Sequence, residues 1–231
     1  GDVFIQSMNQ KHLMLYLTQR DELEYSSAKG WSGIVNSDYS NAPVVVDWNW
    51  GGNKANAFLT KNHNITVDIV RADRIRYTYN QAVQNNSSTK IYPQGDYENY
   101  MRVYLPESAS VEQVEGFVSD EYETYQENGF LVVGGWFNTP ISSTQVFEIV
   151  YTVQREEGGS FPIIVSDTSL TLNLEVYKQP GALSDSLKLD VTYPDSWAAV
   201  EHEGLTRGIN RLSVQTELET DKTYDMVWEF K

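Results

Sequence analysis

The segment Asp47–Lys54, which reads DWNWGGNK, is the most unusual stretch of the chain. Asp47, Asn49 and Asn53 place oxygen-bearing side chains near a pair of glycines, an arrangement that resembles a calcium-binding loop. Phe58, however, stands where such a loop carries its bidentate glutamate, and the segment holds only one carboxylate. We therefore predict no metal site. We favour a turn in which the glycines adopt positive φ and the two asparagines bond to the backbone.

Tryptophans in and near this segment suggest a second chemistry, the binding of carbohydrate. Sugar rings stack on exposed aromatic faces, and neighbouring Asp or Asn groups can bond to the hydroxyls. Because alternate residues of a strand face opposite sides, we expect at least one of these tryptophans in the core. Trp50 lies beyond the predicted strand and is free to be exposed. The candidate binding residues are Trp31, Asp47, Asn49, Trp50, Asn53 and Lys54.

No arrangement of residues typical of catalysis is evident. The chain has no Gly-x-Ser-x-Gly nucleophile elbow, and Gly51–Lys54 lacks the glycine spacing of a phosphate-binding loop. His12, His63 and His202 are too widely spaced for a helical zinc motif. We therefore predict no catalytic residues and no cofactor. The alternative is an envelope hydrolase or transferase that acts on cell-wall glycan, with its site in residues 47–54.

A lysine–asparagine isopeptide cross-link is a further alternative for a β-sandwich. The reaction needs a desolvated, neutral lysine amine beside a polarised amide. Lys54 lies close to apolar segments, and Lys178 and Lys188 lie on predicted strands with Asn173 nearby. Strand lysines more often face solvent, so we expect these lysines to be solvated.

The elements that must position these residues are mainly strands. The chain has 231 residues, of which 40% are hydrophobic and 13% aromatic, enough to bury a substantial core. Alternation of apolar and polar residues predicts strands at 65–70, 74–79, 146–153, 170–176, 187–191, 212–214 and 224–230. We predict a mainly β fold of antiparallel β-sandwich regions, with a small α/β part at the N-terminus.

The predicted organisation has three parts. Residues 1–62 form a small α/β segment that packs on the sheet region. Residues 63–158 form an antiparallel β-sandwich that ends at the glycine-containing turn Glu156–Ser160. Residues 159–231 are β-rich, and they form either a C-terminal sandwich or an extension of the same one.

The N-terminal segment is predicted to mix helices with buried strands. Residues 2–10 show helical spacing of apolar side chains, and residues 21–29 form a short helix that ends at Gly30. The continuous apolar runs at 12–17 and 44–48 favour buried strands. Because the chain begins inside a predicted helix, we expect it to be part of a longer protein.

The charge of the chain excludes several classes of partner. The formal net charge of −15 excludes binding to the phosphate backbone of nucleic acids, which needs a basic surface, and it disfavours binding to an anionic membrane. The absence of cysteine excludes disulfides, thiolate catalysis and zinc–thiolate sites. No apolar run reaches membrane-spanning length, so we expect no membrane insertion of this chain.

Several segments in the same order resemble the bacterial domain of unknown function 4012 family. They are Lys11–Tyr16, Gly30–Gly33, Val46–Ala55, Asn99–Pro106 and Tyr177–Gly181. The resemblance implies an extracytoplasmic, surface-located region of a larger bacterial envelope protein, tethered by a membrane helix outside this chain, and it implies no activity. We therefore expect a noncatalytic module that binds or scaffolds, with envelope glycan or another surface protein as its partner.

Overall fold

The computed structural model describes residues 2–35, 42–154, 163–166, 168–183 and 185–230. Strands account for 55% of the described residues and helices for 11%, which confirms the predicted mainly β fold. The predicted turn at Glu156–Ser160 lies outside the described residues. No helix in the described ranges combines the length and the apolar character needed to cross a membrane.

The helices lie mainly at the start of the chain. They are α1 (Asp2–Asn9) and α2 (Arg20–Ala28), with short 3-10 helices at Ala55–Phe58 and Val118–Asp120. The strands are β1 (Val44–Asn49), β2 (Leu59–Arg71), β3 (Arg74–Asn85), β4 (Tyr97–Pro106), β5 (Ala109–Glu115), β6 (Tyr122–Glu127), β7 (Phe130–Thr139), β8 (Thr144–Gln154), β9 (Ile163–Val165), β10 (Ser169–Val176), β11 (Asp185–Thr192), β12 (Trp197–His202), β13 (Thr206–Gly208), β14 (Arg211–Glu217) and β15 (Lys222–Phe230).

The described strands form a seven-stranded central sheet and two four-stranded outer sheets. The central sheet has the order β13-β14-β11-β2-β3-β8-β5. The first outer sheet has the order β1-β4-β7-β6, and the second has the order β12-β15-β10-β9. Pairing within these sheets is antiparallel except between β2 and β11, where Lys61–Asp68 runs parallel to Asp185–Thr192. This parallel pair joins the antiparallel strands β13-β14-β11 to the antiparallel strands β2-β3-β8-β5.

Alternating side chains build the core between the sheets. On β2 the residues Ile65, Val67 and Ile69 are buried, as the period-two pattern predicts. The first outer sheet packs on the central sheet where Phe137 meets Phe147, with ring centroids 6.5 Å apart. Side chains of all three sheets belong to one cluster of buried hydrophobic residues. Only the face of the central sheet that carries Ile65 and Leu189 is buried, so both outer sheets pack on that same face.

The predicted N-terminal α/β segment contributes both helices and strands. The predicted helices are present, and Gly30 ends the second with a φ of +71°. The strand β1 is an edge strand of the first outer sheet, and β2 already begins at Leu59. Lys11 ties the helical region to the strands through a 2.7 Å ion pair with Asp221.

The predicted buried strand at 12–17 is wrong. These residues form no strand, and Leu13, Met14 and Tyr16 are exposed. The segment connects α1 to α2, and its Leu15 backbone nitrogen donates to the Trp31 carbonyl over 2.8 Å. A continuous apolar run lacks the alternation of apolar and polar residues that identifies a strand. Here the run lies between two helices and forms the loop that connects them.

Candidate functional site

Strand β1 presents its aromatic residue to solvent and its carboxylate to the interior. Its pairing with β4 sets Trp48 opposite Tyr100 and Asp47 opposite the fully buried Met101. Trp48 is 58% exposed, whereas the Asp47 side chain is 6% exposed. This arrangement reverses the usual preference of these residue types.

The expectation that a tryptophan of this region lies in the core is therefore wrong. Trp50 is also exposed, and Trp31 is partly exposed. The inward position on β1 belongs to Asp47 because buried polar partners satisfy its carboxylate, as described below.

Four aromatic residues form a continuous patch on the outward face of the first outer sheet. We call Trp48, Trp50, Tyr100 and Trp136 the aromatic platform. Trp48 and Trp50 are in edge contact with centroids 4.9 Å apart, and Trp50 lies 6.1 Å from Trp136. Tyr100 lies 5.3 Å from Trp136 and is its direct cross-strand partner. These contacts hold the rings in fixed mutual orientations while the three tryptophans stay at least 42% exposed.

Tyr100 is held in place by its neighbours on β6 and β7. Its ring lies over Gly134, where a Cβ would come within 2.8 Å of the hydroxyl. The hydroxyl donates to the Glu123 carboxylate. Partial burial and this carboxylate raise the pKa of Tyr100 to about 12, so its hydroxyl is neutral at physiological pH.

The segment after β1 is a turn braced by asparagine side chains. Asn49 Oδ1 accepts from the Gly51 backbone nitrogen over 3.1 Å, and its Nδ2 donates to the Asn53 carbonyl over 3.1 Å. Asn53 Nδ2 donates to the Asp96 carbonyl over 2.8 Å. Gly52 adopts a φ of +67°. The predicted asparagine bonds to the backbone are present, whereas of the two glycines only Gly52 has the predicted positive φ.

The remaining candidate residues lie apart from one another. The Lys54 side chain is exposed, and its backbone nitrogen donates to Pro93 over 2.8 Å. Trp31 packs edge-on against Tyr25 at 6.2 Å and donates from Nε1 to the Asn9 side chain over 2.8 Å. Trp31 therefore belongs to the helical region and lies outside the aromatic platform.

Asp47, Lys61 and Asn99 form a buried polar cluster between the first outer sheet and the central sheet. Lys61 Nζ contacts Asp47 Oδ2, and Asn99 Nδ2 donates to Asp47 Oδ1 over 2.8 Å. The Lys61 side chain is 7% exposed and Asn99 is 1% exposed. The Trp48 backbone nitrogen donates to Asn99 Oδ1 over 2.8 Å. Both carboxylate oxygens of Asp47 therefore have partners.

A second set of buried polar residues lies beside this cluster. Asp185 is the register partner of Lys61, and its Oδ2 lies 3.3 Å from Nε2 of His63. The other ring nitrogen of His63 lies 2.7 Å from the Tyr79 hydroxyl. Burial opposes ionisation of Asp185, but the His63 hydrogen bond and nearby cations outweigh it and lower the pKa of the carboxyl. Asp185 is therefore an anion.

Lys178 is also buried in this region. Its Nζ donates to the Ala182 carbonyl over 2.6 Å and to the Gln179 carbonyl over 3.3 Å. Burial lowers the pKa of Lys178, although Asp185 acts in the opposite direction. Its ammonium thus anchors the turn after β10 rather than a substrate.

A small cavity opens beside the buried polar residues. It measures about 100 Å³ and is lined in part by Asp47, Lys61, Tyr97, Gln179 and Asp185. Among the described residues, no three histidine or acidic side chains are grouped so as to hold a metal ion.

Sequence reasoning did not identify Lys61, Asn99 or the exposed Trp136. The sequence does contain a signal that Lys61 is buried. Lys61 lies an even number of residues from Ile65 and Val67 on the same strand, so its side chain points to the same buried face. No comparable signal marks Asn99, since its partner Asp47 is 52 residues away and on another strand.

Comparison with known proteins gives distant similarity of fold only. No protein-family model and no curated protein matches the chain. An M1 zinc metallopeptidase from Deinococcus radiodurans is 11% identical, with 74% of this chain and 42% of that one covered and a TM-score of 0.39. The chain thus spans less than half the length of the metallopeptidases it resembles.

Two further solved structures show similar relationships. A proposed nutrient-binding protein from Legionella pneumophila is 8% identical, with 82% of this chain and 72% of that one covered and a TM-score of 0.43. The folded domain of LppM from Mycobacterium tuberculosis is 11% identical, with 75% and 91% covered and a TM-score of 0.33.

Proposed function

We propose that this protein is a noncatalytic module of the bacterial cell envelope that binds carbohydrate through the aromatic platform. The observation that carries the proposal is the exposure of Trp48, Trp50 and Trp136 side by side on one sheet face. Removing such rings from water is favourable, and a monomer that keeps them exposed forgoes that gain. A ligand that covers them recovers it.

The surroundings of the platform suit a sugar. Glu98 and Asn138 are exposed cross-strand partners two residues from Tyr100 and Trp136, and they therefore share the outward face. Glu123 borders the platform through the Tyr100 hydroxyl. Carboxylate and amide groups at the edge of aromatic rings can bond to sugar hydroxyls while the rings contact the apolar face of the sugar.

The alternative of an envelope hydrolase or transferase lacks support in the geometry around residues 47–54. Such an enzyme needs an available carboxylate at an open cleft. The Asp47 carboxylate is bonded to Lys61 and Asn99 and faces the interior. The Asn49 and Asn53 side chains brace their own turn.

The test is a binding screen against immobilised envelope polysaccharides and cell-wall fragments, followed by titration of the best ligand. Trp50→Ala and Trp136→Ala should each weaken binding by about tenfold or more, because each removes a central contact ring. Trp31→Phe is the matched control and should bind like the wild type. Circular dichroism melting curves establish that each variant is folded.

The proposal is wrong if no glycan binds, or if the platform variants bind as well as the control does. Capture of a surface protein that depends on Trp50 and Trp136, without glycan binding, would instead assign the platform to a protein partner.

A further inference from the structure

The buried polar cluster has the composition of a site for covalent cross-linking. Its carboxylate, Asp47, contacts a lysine amine and a side-chain amide at once, and all three side chains are largely buried. Lys61 lies on β2 of the central sheet, whereas Asp47 and Asn99 lie on β1 and β4 of the first outer sheet. A bond between Lys61 and Asn99 would therefore join the two layers of the sandwich.

We infer that Lys61 Nζ and Asn99 Cγ form an intramolecular isopeptide bond, with Asp47 as the catalytic acid and base. Asp47 contacts both reacting groups at once, since Oδ2 meets the amine and Oδ1 meets the amide nitrogen.

The first step is a proton transfer within the ion pair. Moving a proton from Lys61 Nζ to Asp47 Oδ2 converts two buried charges into a neutral amine and a neutral acid. The two atoms that exchange the proton are already in contact, so the transfer needs no rearrangement of either side chain. The neutral amine is the nucleophile that the reaction needs.

The second step is attack on the amide. The lone pair of Lys61 Nζ forms a bond to Asn99 Cγ, and the carbonyl π electrons move to Oδ1. The Trp48 backbone nitrogen already donates to that oxygen over 2.8 Å, and it can therefore stabilise the developing negative charge.

The last step releases ammonia. Asp47 gives its proton to Asn99 Nδ2 and takes one from the attacking nitrogen, and the Cγ–Nδ2 bond then breaks. The products are one secondary amide and one NH₃, which balance one amine and one primary amide. No oxidant, metal or cofactor enters the reaction.

The lysines singled out in the sequence lack this environment. Lys54 is exposed, and the Lys188 side chain is half exposed and 3.3 Å from Asp190. Lys178 is buried, but its Nζ donates to backbone carbonyls. Among these four lysines, Lys61 is the one that contacts a carboxylate bonded to a side-chain amide.

High-resolution mass spectrometry of the purified chain tests the inference. The intact mass should fall below the value calculated from the sequence by about 17 Da, the mass of one ammonia lost in the acyl transfer. Trypsin should leave Lys61 uncut and yield a branched peptide in which residues 55–71 are joined to residues 91–102. Fragmentation of that peptide should locate the link at Asn99.

Two variants test the roles of the residues. Lys61→Arg preserves a cation for Asp47 but removes the nucleophile, and Asp47→Asn removes the proton carrier. Each should have its full calculated mass, whereas Lys188→Arg should keep the ammonia loss. Arginine at position 61 can keep the ion pair, so it provides a folded comparison if Asp47→Asn unfolds.

The inference is overturned if the wild-type chain has its full calculated mass. It is equally overturned if the link joins Lys61 to Gln179, or if water is lost to a carboxylate such as Asp185. Persistence of the ammonia loss in Lys61→Arg would also exclude it.

Discussion

Asp47 and Trp48 are adjacent on β1, and their side chains act on opposite sides of the first outer sheet. The Asp47 carboxylate contacts Lys61 in the interior, while the Trp48 ring packs against Trp50 at the surface, 4.9 Å away. A strand with the usual arrangement would bury the ring and solvate the acid. The orientation of β1 therefore creates both the aromatic platform and the buried polar cluster.

Removal of the buried acid should be costly unless its partner is also removed. Asp47→Leu leaves the Lys61 ammonium in the interior without a carboxylate. We expect its free energy of unfolding to be about 3–5 kcal/mol below that of Lys61→Arg, which also lacks the cross-link but keeps the ion pair. The double variant Asp47→Leu with Lys61→Met should be more stable than Asp47→Leu alone. Urea unfolding measures both, and a double variant that is less stable than Asp47→Leu would contradict the prediction.

Acid should destabilise the fold in part through Asp185. The pKa of this carboxyl is lowered, since the His63 hydrogen bond helps to outweigh burial. A group with a lowered folded pKa stabilises fully above its unfolded pKa, about 3.9, and this contribution is lost as the pH falls through the folded pKa.

Asp185→Asn should therefore reduce the slope of unfolding free energy against pH below about pH 4. Asp73→Asn is the control, because Asp73 forms an exposed ion pair with Arg71. Urea unfolding at a series of pH values measures the slopes. Equal slopes for Asp185→Asn and the wild type would rule out this role.

Neighbouring glycines on β7 should respond differently to alanine. A Cβ on Gly135 would lie 2.8 Å from the Phe117 ring and 3.0 Å from the Glu121 carbonyl, where backbone cannot easily move. We expect Gly135→Ala to destabilise the fold by about 1–3 kcal/mol. A Cβ on Gly134 would meet the end of the Tyr100 side chain.

Gly134→Ala should therefore displace Tyr100 and change the aromatic platform while costing less stability than Gly135→Ala. Thermal melting followed by near-ultraviolet circular dichroism separates the two effects. If both variants melt together, or if Gly134→Ala leaves the aromatic spectrum unchanged, the contacts assigned to these positions are wrong.

The strands could be predicted from the sequence because the alternation of apolar and polar residues lies within each strand. Ile65, Val67 and Ile69 alternate with polar residues, and the structure buries them as a set. Residues 12–17 were predicted incorrectly because an apolar run without alternation does not distinguish a buried strand from a connector.

The site could be predicted only in part. The asparagine-braced turn follows from neighbouring residues, and local hydrogen bonds such as Asn49 to Gly51 confirm it. The direction of Asp47 depends on Lys61 and Asn99, which come from other strands, and local alternation does not decide which face meets the core. The aromatic platform likewise depends on the register that sets Tyr100 beside Trp136.

The parallel pairing of β2 with β11 has a mechanical consequence. Lys61–Asp68 and Asp185–Thr192 run side by side in one direction, so a force that slides one strand along the other loads their slanted hydrogen bonds together. A strand pair loaded in shear resists extension better than an edge strand whose hydrogen bonds break one at a time. Tension carried along this pair would pass between the strands β13-β14-β11 and the strands β2-β3-β8-β5 through the middle of the central sheet.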